Sequence, residues 1–173
     1  MAYLLALAPD HVGLTAQEHP SLYWFLSAPS AHPVEFTLIE NKAAKPLLET
    51  RLEPSNHSGL QYIRLSGHGV DLQLNVLYRW FVTLIPDAKR RSKDILSGGL
   101  IERIEPPEGL KQMMDKDVET APVRSYAEAG FWYDAFMTVC QLIEGSPDDV
   151  YLKKMRASLL EQVGLAEVAN RLK

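Results

Sequence analysis

Along the first part of the chain, apolar and polar positions alternate over short runs. YLLALA (3–8), SLYWFLS (21–27), VEFTLIE (34–40), PLLETRL (46–52), LQYIRL (60–65), VLYRWFVTLI (76–85) and ILSGGLIERI (95–104) show a two-residue period or a brief continuous apolar stretch. Such runs suit strands lying on a pleated sheet with one or both faces buried. Between them lie SAPSAHP, IENKAAK, EPSNHSG, SGHG and PDAKRRSKD, rich in residues that turn a chain. Seven short strands with no helical period between them predict a two-layer antiparallel sandwich.

After residue 105 the period lengthens. Residues 106–125 read as a proline-containing connector with one short helical turn, punctuated by Pro106, Pro107 and Pro122. Over 126–144, Ala129, Trp132, Tyr133, Phe136, Cys140 and Ile143 recur at spacings of three and four, which predicts one amphipathic helix ended by Gly145. Ser146 is the expected cap of the next helix, with Pro147 in its first turn and Asp148 and Asp149 against its dipole. That helix carries Val150, Tyr151, Met155, Leu159, Leu160 and Val163. Gly164 breaks it before a last short helix with Leu165, Val168, Ala169 and Leu172. The expected fold is α+β: a seven-stranded antiparallel β-sandwich over 1–105, then a helical hairpin or three-helix arm over 126–173 packed on it.

Two residues sharpen the sandwich. Trp24 lies mid-strand among apolar neighbours, where an indole fills the space between sheets. Tyr78 follows Leu72, Leu74 and Val76 and precedes Trp80, placing its hydroxyl where a corner tyrosine bonds nearby backbone. The spacing L-x-L-x-V-x-Y-x-W resembles the sixth strand of immunoglobulin-like fibronectin type III domains, and SLYWFLSAP resembles their second.

A wider resemblance covers nearly the whole chain in order. LALAP, GLTAQEHPSLYWFLSAP, VEFTLIE, GGLIERI, YAEAGFWYDAF and LLEQVGLAEVA are similar to the bacterial domain-of-unknown-function family 928. Thr15-x-x-Glu18-His19-Pro20 and Ala129-Gly130-x-Trp132-Tyr133-Asp134 are its most specific pieces, and Gly99 departs from it where the family favours tryptophan. The resemblance implies a protein exported to the periplasm or beyond. It brings no activity, cofactor or catalytic residues.

Charge and composition narrow the function classes. A formal net charge of −4 disfavours general nucleic-acid binding, which needs a positive field to displace phosphate counterions. No apolar run approaches the roughly 18 residues of a membrane-spanning helix. The opening MAYLLALAPD is too short for a signal peptide and reads as the first strand of a mature domain whose leader has been removed. The single cysteine, Cys140, falls on the core stripe of its helix and reads as a small buried hydrophobe.

The chemistry-bearing candidates are few. AGFWYDAF (129–136) sets a glycine, three aromatics and a carboxylate together. Gly130 inside a helix points to a close backbone approach. Trp132, Tyr133 and Phe136 then form a docking face on the sandwich, with Asp134 pairing Arg103 or capping an amide, since a buried charge needs a partner. The alternative makes Trp132, Tyr133 and Asp134 the wall of a small-ligand or glycan pocket at the seam. Lys89, Arg90, Arg91 and Lys93 form a basic cluster in the loop between the last two strands, suited to an acidic partner surface, a lipid headgroup or an acidic polysaccharide.

His11, His19, His32, His57 and His68 show no metal-ligand spacing, and neither a nucleophile elbow nor a phosphate loop occurs. The Gly98-Gly99 pair reads as a bulge or bend in its strand. The function expected is a non-enzymatic exported module that binds another protein, with no cofactor and no metal. A ligand-sensing domain is the alternative, and a hydrolase built from distant loops is the third reading.

Overall fold

Among the described residues, eight strands precede five α-helices: β1 (Leu4–Ala6), β2 (Gly13–Thr15), β3 (Ser21–Leu26), β4 (Val34–Glu40), β5 (Leu48–Leu52), β6 (Gly59–Arg64), β7 (Leu77–Leu84), β8 (Ile95–Arg103), then α1 (Glu108–Met114), α2 (Ala121–Glu128), α3 (Trp132–Gly145), α4 (Val150–Gln162) and α5 (Ala166–Arg171). The structure, a computed structural model, describes residues 2–114 and 121–173. The expected α+β architecture is the one observed, with one strand more. Part of the expected connector, residues 115–120, lies outside the described residues.

One sheet has the order β1-β3-β6 and the other β2-β8-β7-β4-β5. β2 is the strand the sequence pattern hides. Three residues carry no readable period, and it pairs parallel to β8, with Gly13 opposite Ile101 and Thr15 opposite Arg103. The other strand pairs are antiparallel.

β3 is buried along its whole length because it is covered on both faces. Successive side chains alternate across a strand, so Leu22, Trp24 and Leu26 take one face while Ser21, Tyr23 and Phe25 take the other. The second set meets the helices. Phe136 of α3 stands edge-on to Tyr23 with ring centres 5.3 Å apart, and the Ser21 amide donates to Met137 Sδ. Tyr3, just before β1, donates to Glu167 of α5 and lies under the Arg171 guanidinium. The helices therefore lie over the three-stranded sheet, which in turn packs on the five-stranded one, and α3 also docks on β2 at the edge of the five-stranded sheet. Among the described residues, no helix packs on the outer face of the five-stranded sheet.

Tyr78 is the corner tyrosine the sequence predicts: its hydroxyl accepts the Gln73 amide at 2.9 Å. Three local expectations need correction. The helix expected over 126–144 is two helices, because Gly130 adopts φ 85° and ends α2. The Phe131 amide reaches back to the Tyr126 carbonyl and the Gly130 amide to that of Ala127, the two bonds of a Schellman motif. The cap of α4 is Asp149 rather than Ser146: its carboxylate accepts the Tyr151 and Leu152 amides. Finally, Gly98 and Gly99 make no bulge, since β8 stays in continuous register with Phe81 and Trp80 of β7.

Candidate functional site

The AGFWYDAF segment forms the start of α3, and its side chains lock that helix into the sandwich. The Tyr133 ring lies between two strand glycines. A Cβ on Gly13 of β2 would stand 2.3 Å from Tyr133 Cε2, and one on Gly99 of β8 would stand 3.0 Å from its hydroxyl. That hydroxyl donates to the Leu100 carbonyl at 2.8 Å and accepts the Trp80 indole N–H at 3.1 Å. Glycine in a strand often marks such a close approach. Here the approach expected at Gly130 occurs at Gly13 and Gly99, while the space around Gly130 is open.

Asp134 is fully buried, 0% exposed, yet no cation pairs with it among the described residues. Its Oδ1 accepts the Thr15 hydroxyl at 2.6 Å and its Oδ2 accepts the Ala16 amide at 2.7 Å. Of the two partners expected, the amide cap is the real one. Arg103 instead donates to the Leu72 carbonyl and approaches Glu18 at 3.7 Å. Burial pushes the Asp134 carboxyl up to about 6, with the Thr15 and Ala16 hydrogen bonds pulling against it. Burial likewise raises Tyr133, whose bond to Trp80 acts in the opposite direction.

Trp132 stacks on Phe136, their rings 5.0 Å apart and nearly parallel, and its indole N–H donates to the Leu159 carbonyl. Trp132, Tyr133 and Asp134 thus face protein, at 7%, 3% and 0% exposure. Their polar side-chain groups are engaged by protein partners.

The basic cluster lies in the loop between β7 and β8, and its members are exposed. Arg91 is tethered by Asp94 at 2.6 Å and Glu35 at 3.3 Å, which fixes the loop against β4. Arg90 is 3.9 Å from Asp87, whereas Lys89 and Lys93 form no ion pair among the described residues. Immediately beyond the loop the open sheet face begins. Leu96 is 61% exposed there, and register places it in line with Thr83, Glu35 and Arg51 across the strands. In the next row Phe81 stands against Gly98, where an added Cβ would meet its ring at 2.6 Å. The Arg79 guanidinium lies 6.0 Å from the Phe81 ring centre. Leu100, Ile39 and Leu77 continue the half-buried apolar set. Strand alternation contained this face, but which faces the helices would cover could not be read from any local pattern.

The histidines do not converge. His19 meets Asp71 at 2.5 Å on the surface, and His11 meets its neighbour Asp10. Neither ring bonds a hydroxyl or thiol among the described residues. No group of three or more metal-ligating side chains occurs among them. Cys140 is buried as expected, with its thiol pushed up to about 12 by burial while the Arg156 guanidinium pulls it down.

The sequence profile described as Domain of Unknown Function (DUF928) matches residues 1–172. The chain belongs to that family. No curated protein matches this DUF928 chain. Among solved structures it is similar to the E. coli chaperone DraB, with 16% identity and a TM-score of 0.36 over 61% of this chain and 55% of that one. It is also similar to the periplasmic chaperone SfaE, with 12% identity and a TM-score of 0.35 over 67% of this chain and 64% of that one. The matched parts are thus under two thirds of each chaperone's length. No helix among the described residues of the DUF928 protein is long and apolar enough to cross a membrane.

Proposed function

We propose that this protein is an exported, non-enzymatic module that binds another protein through the open face of its five-stranded sheet and the basic loop beside it. One observation carries the reading: Leu96 is 61% exposed on a sheet face against which no helix packs among the described residues. The residues around it suit an interface. Phe81 and Arg79 are types enriched where proteins meet, and half-buried aliphatic side chains surround them. Lys89 and Lys93 at the edge favour an acidic partner and would raise its rate of encounter. The seam supports the same reading from the other side, since Trp132, Tyr133 and Asp134 are committed to internal bonds. Export is supported by the family resemblance alone, and fractionation of the source cell tests it.

The experiment compares proteins retained from a cell extract by the immobilised parent and by Leu96→Glu. The change lies on the surface, so the variant should melt within about 1 kcal/mol of the parent. A protein held by the parent and released by the variant supports the proposal. Equal retention by both overturns it.

A further inference from the structure

α4 carries two stripes, one apolar and one of mixed valine, alanine and lysine. Leu152, Leu159 and Leu160 are buried in the core, while Val150, Lys153, Lys154 and Ala157 recur at i, i+3, i+4 and i+7 and make a second stripe. With Lys173 this stripe lines a groove of about 360 Å³, within the range of about 300–1,000 Å³ usual for small-molecule sites. Val150 is 62% exposed, the most exposed large apolar side chain in the described residues. The groove is lined by Val150, Ala157 and the methylene stems of the lysines, which leave their ammonium heads at the rim.

Those heads lack acidic partners. None of Lys153, Lys154 and Lys173 forms an ion pair with a carboxylate among the described residues, and Lys173 Nζ donates only to the Asn170 side-chain amide. Asp149, the acid nearest along the helix, spends its carboxylate on capping. An apolar trough rimmed by three cations that have no carboxylate partner among the described residues is complementary to a molecule with one hydrocarbon chain and one anionic head. We propose that this groove binds a free fatty carboxylate, its chain along Val150 and Ala157 and its head among the lysine ammonium groups. A single amphiphile fits better than a bilayer, because exposed Asp148 and Glu161 stand beyond the two ends of the stripe and would face an anionic membrane.

The test is isothermal titration with monomeric dodecanoate, with dodecyltrimethylammonium as the control of opposite charge. The parent should bind one dodecanoate per chain and bind the cationic analogue at least tenfold more weakly. The double variant Lys153→Glu/Lys154→Glu should lose at least tenfold in dodecanoate affinity. Its substitutions lie on the outer stripe, and a melting curve matching the parent's confirms an intact fold. Val150→Asp, which leaves the lysines in place, should also weaken binding. Equal affinity for both amphiphiles, unchanged affinity in the double variant, or binding to anionic phospholipid vesicles without binding to dodecanoate would each overturn the assignment.

Discussion

Thr15 Oγ1 donates a 2.6 Å hydrogen bond to Asp134 Oδ1, although 119 residues separate the two in the chain. With the Ala16 amide on the other carboxylate oxygen, this contact fastens α3 to the end of β2. Asp134→Ala leaves the Thr15 hydroxyl proton and the half-buried Ala16 amide without their acceptor, at roughly 1–3 kcal/mol each. Urea denaturation should show a loss of about 2 kcal/mol or more. The loss should be greater below pH 6, where the carboxyl is neutral and removing it relieves no charge. A variant as stable as the parent under both conditions would remove Asp134 from its structural role.

The same carboxyl gives a pH dependence of definite sign. Its folded value, about 6, lies above the ordinary 3.8, so the folded state holds this proton more tightly than the unfolded chain does. The resulting stabilisation is fully present below pH 3.8 and is lost as the pH rises through about 6. The rise from 3.8 to about 6 corresponds to about 3 kcal/mol. Asp134→Asn has no proton to lose, so the parent's stability minus the variant's should fall by about 2 kcal/mol between roughly pH 4 and pH 6.5. A difference that stays level or rises across this window would refute the assignment.

Tyr133 and its two glycines predict an ordering among glycine substitutions. Gly13→Ala places a methyl group against the Tyr133 ring, and Gly99→Ala places one 2.5 Å from Ala8 Cβ. Overpacking of this kind costs about 1–3 kcal/mol. Gly130→Ala meets no neighbour but must hold φ 85°, at about 1–2 kcal/mol. Thermal melts should therefore rank Gly13→Ala and Gly99→Ala at or below Gly130→Ala in stability. A neutral Gly99→Ala would contradict the packing described for β8.

Tyr133→Phe keeps the ring and removes the hydroxyl. The Trp80 indole N–H and the Leu100 carbonyl each lose a partner, for about 1–3 kcal/mol in total. The near-ultraviolet circular dichroism of the tryptophans should change while the far-ultraviolet spectrum does not. An unchanged near-ultraviolet signal and an unchanged melting temperature would show that the bond is dispensable.

What the sequence revealed follows from how far each signal reaches. Seven strands, the corner hydroxyl of Tyr78, buried Cys140 and the break at Gly164 come from periods and turn chemistry within a few residues. β2 escaped because Gly-Leu-Thr is too short to show a period and is held by pairing with β8 from the far end of the sandwich. The break at Gly130 was masked because Ala129, Trp132 and Tyr133 continue the helical spacing across it. AGFWYDAF was legible as a seam, but its partners at Gly13, Thr15 and Gly99 come from two strands that only the folded chain brings together. The open sheet face was equally hidden. Alternation says that a strand has two faces, and only packing decides which of them the helices cover.

The most direct test of the interaction face is site-specific photocrosslinking in the native compartment, with a photoreactive phenylalanine analogue at position 96 and, as a control, at position 154 on α4. The proposed function predicts a discrete protein adduct from position 96 that position 154 does not give and that Lys89→Glu/Lys93→Glu weakens. No adduct from position 96, or the same adduct from both positions, would contradict the central claim that this sheet face is where the protein meets its partner.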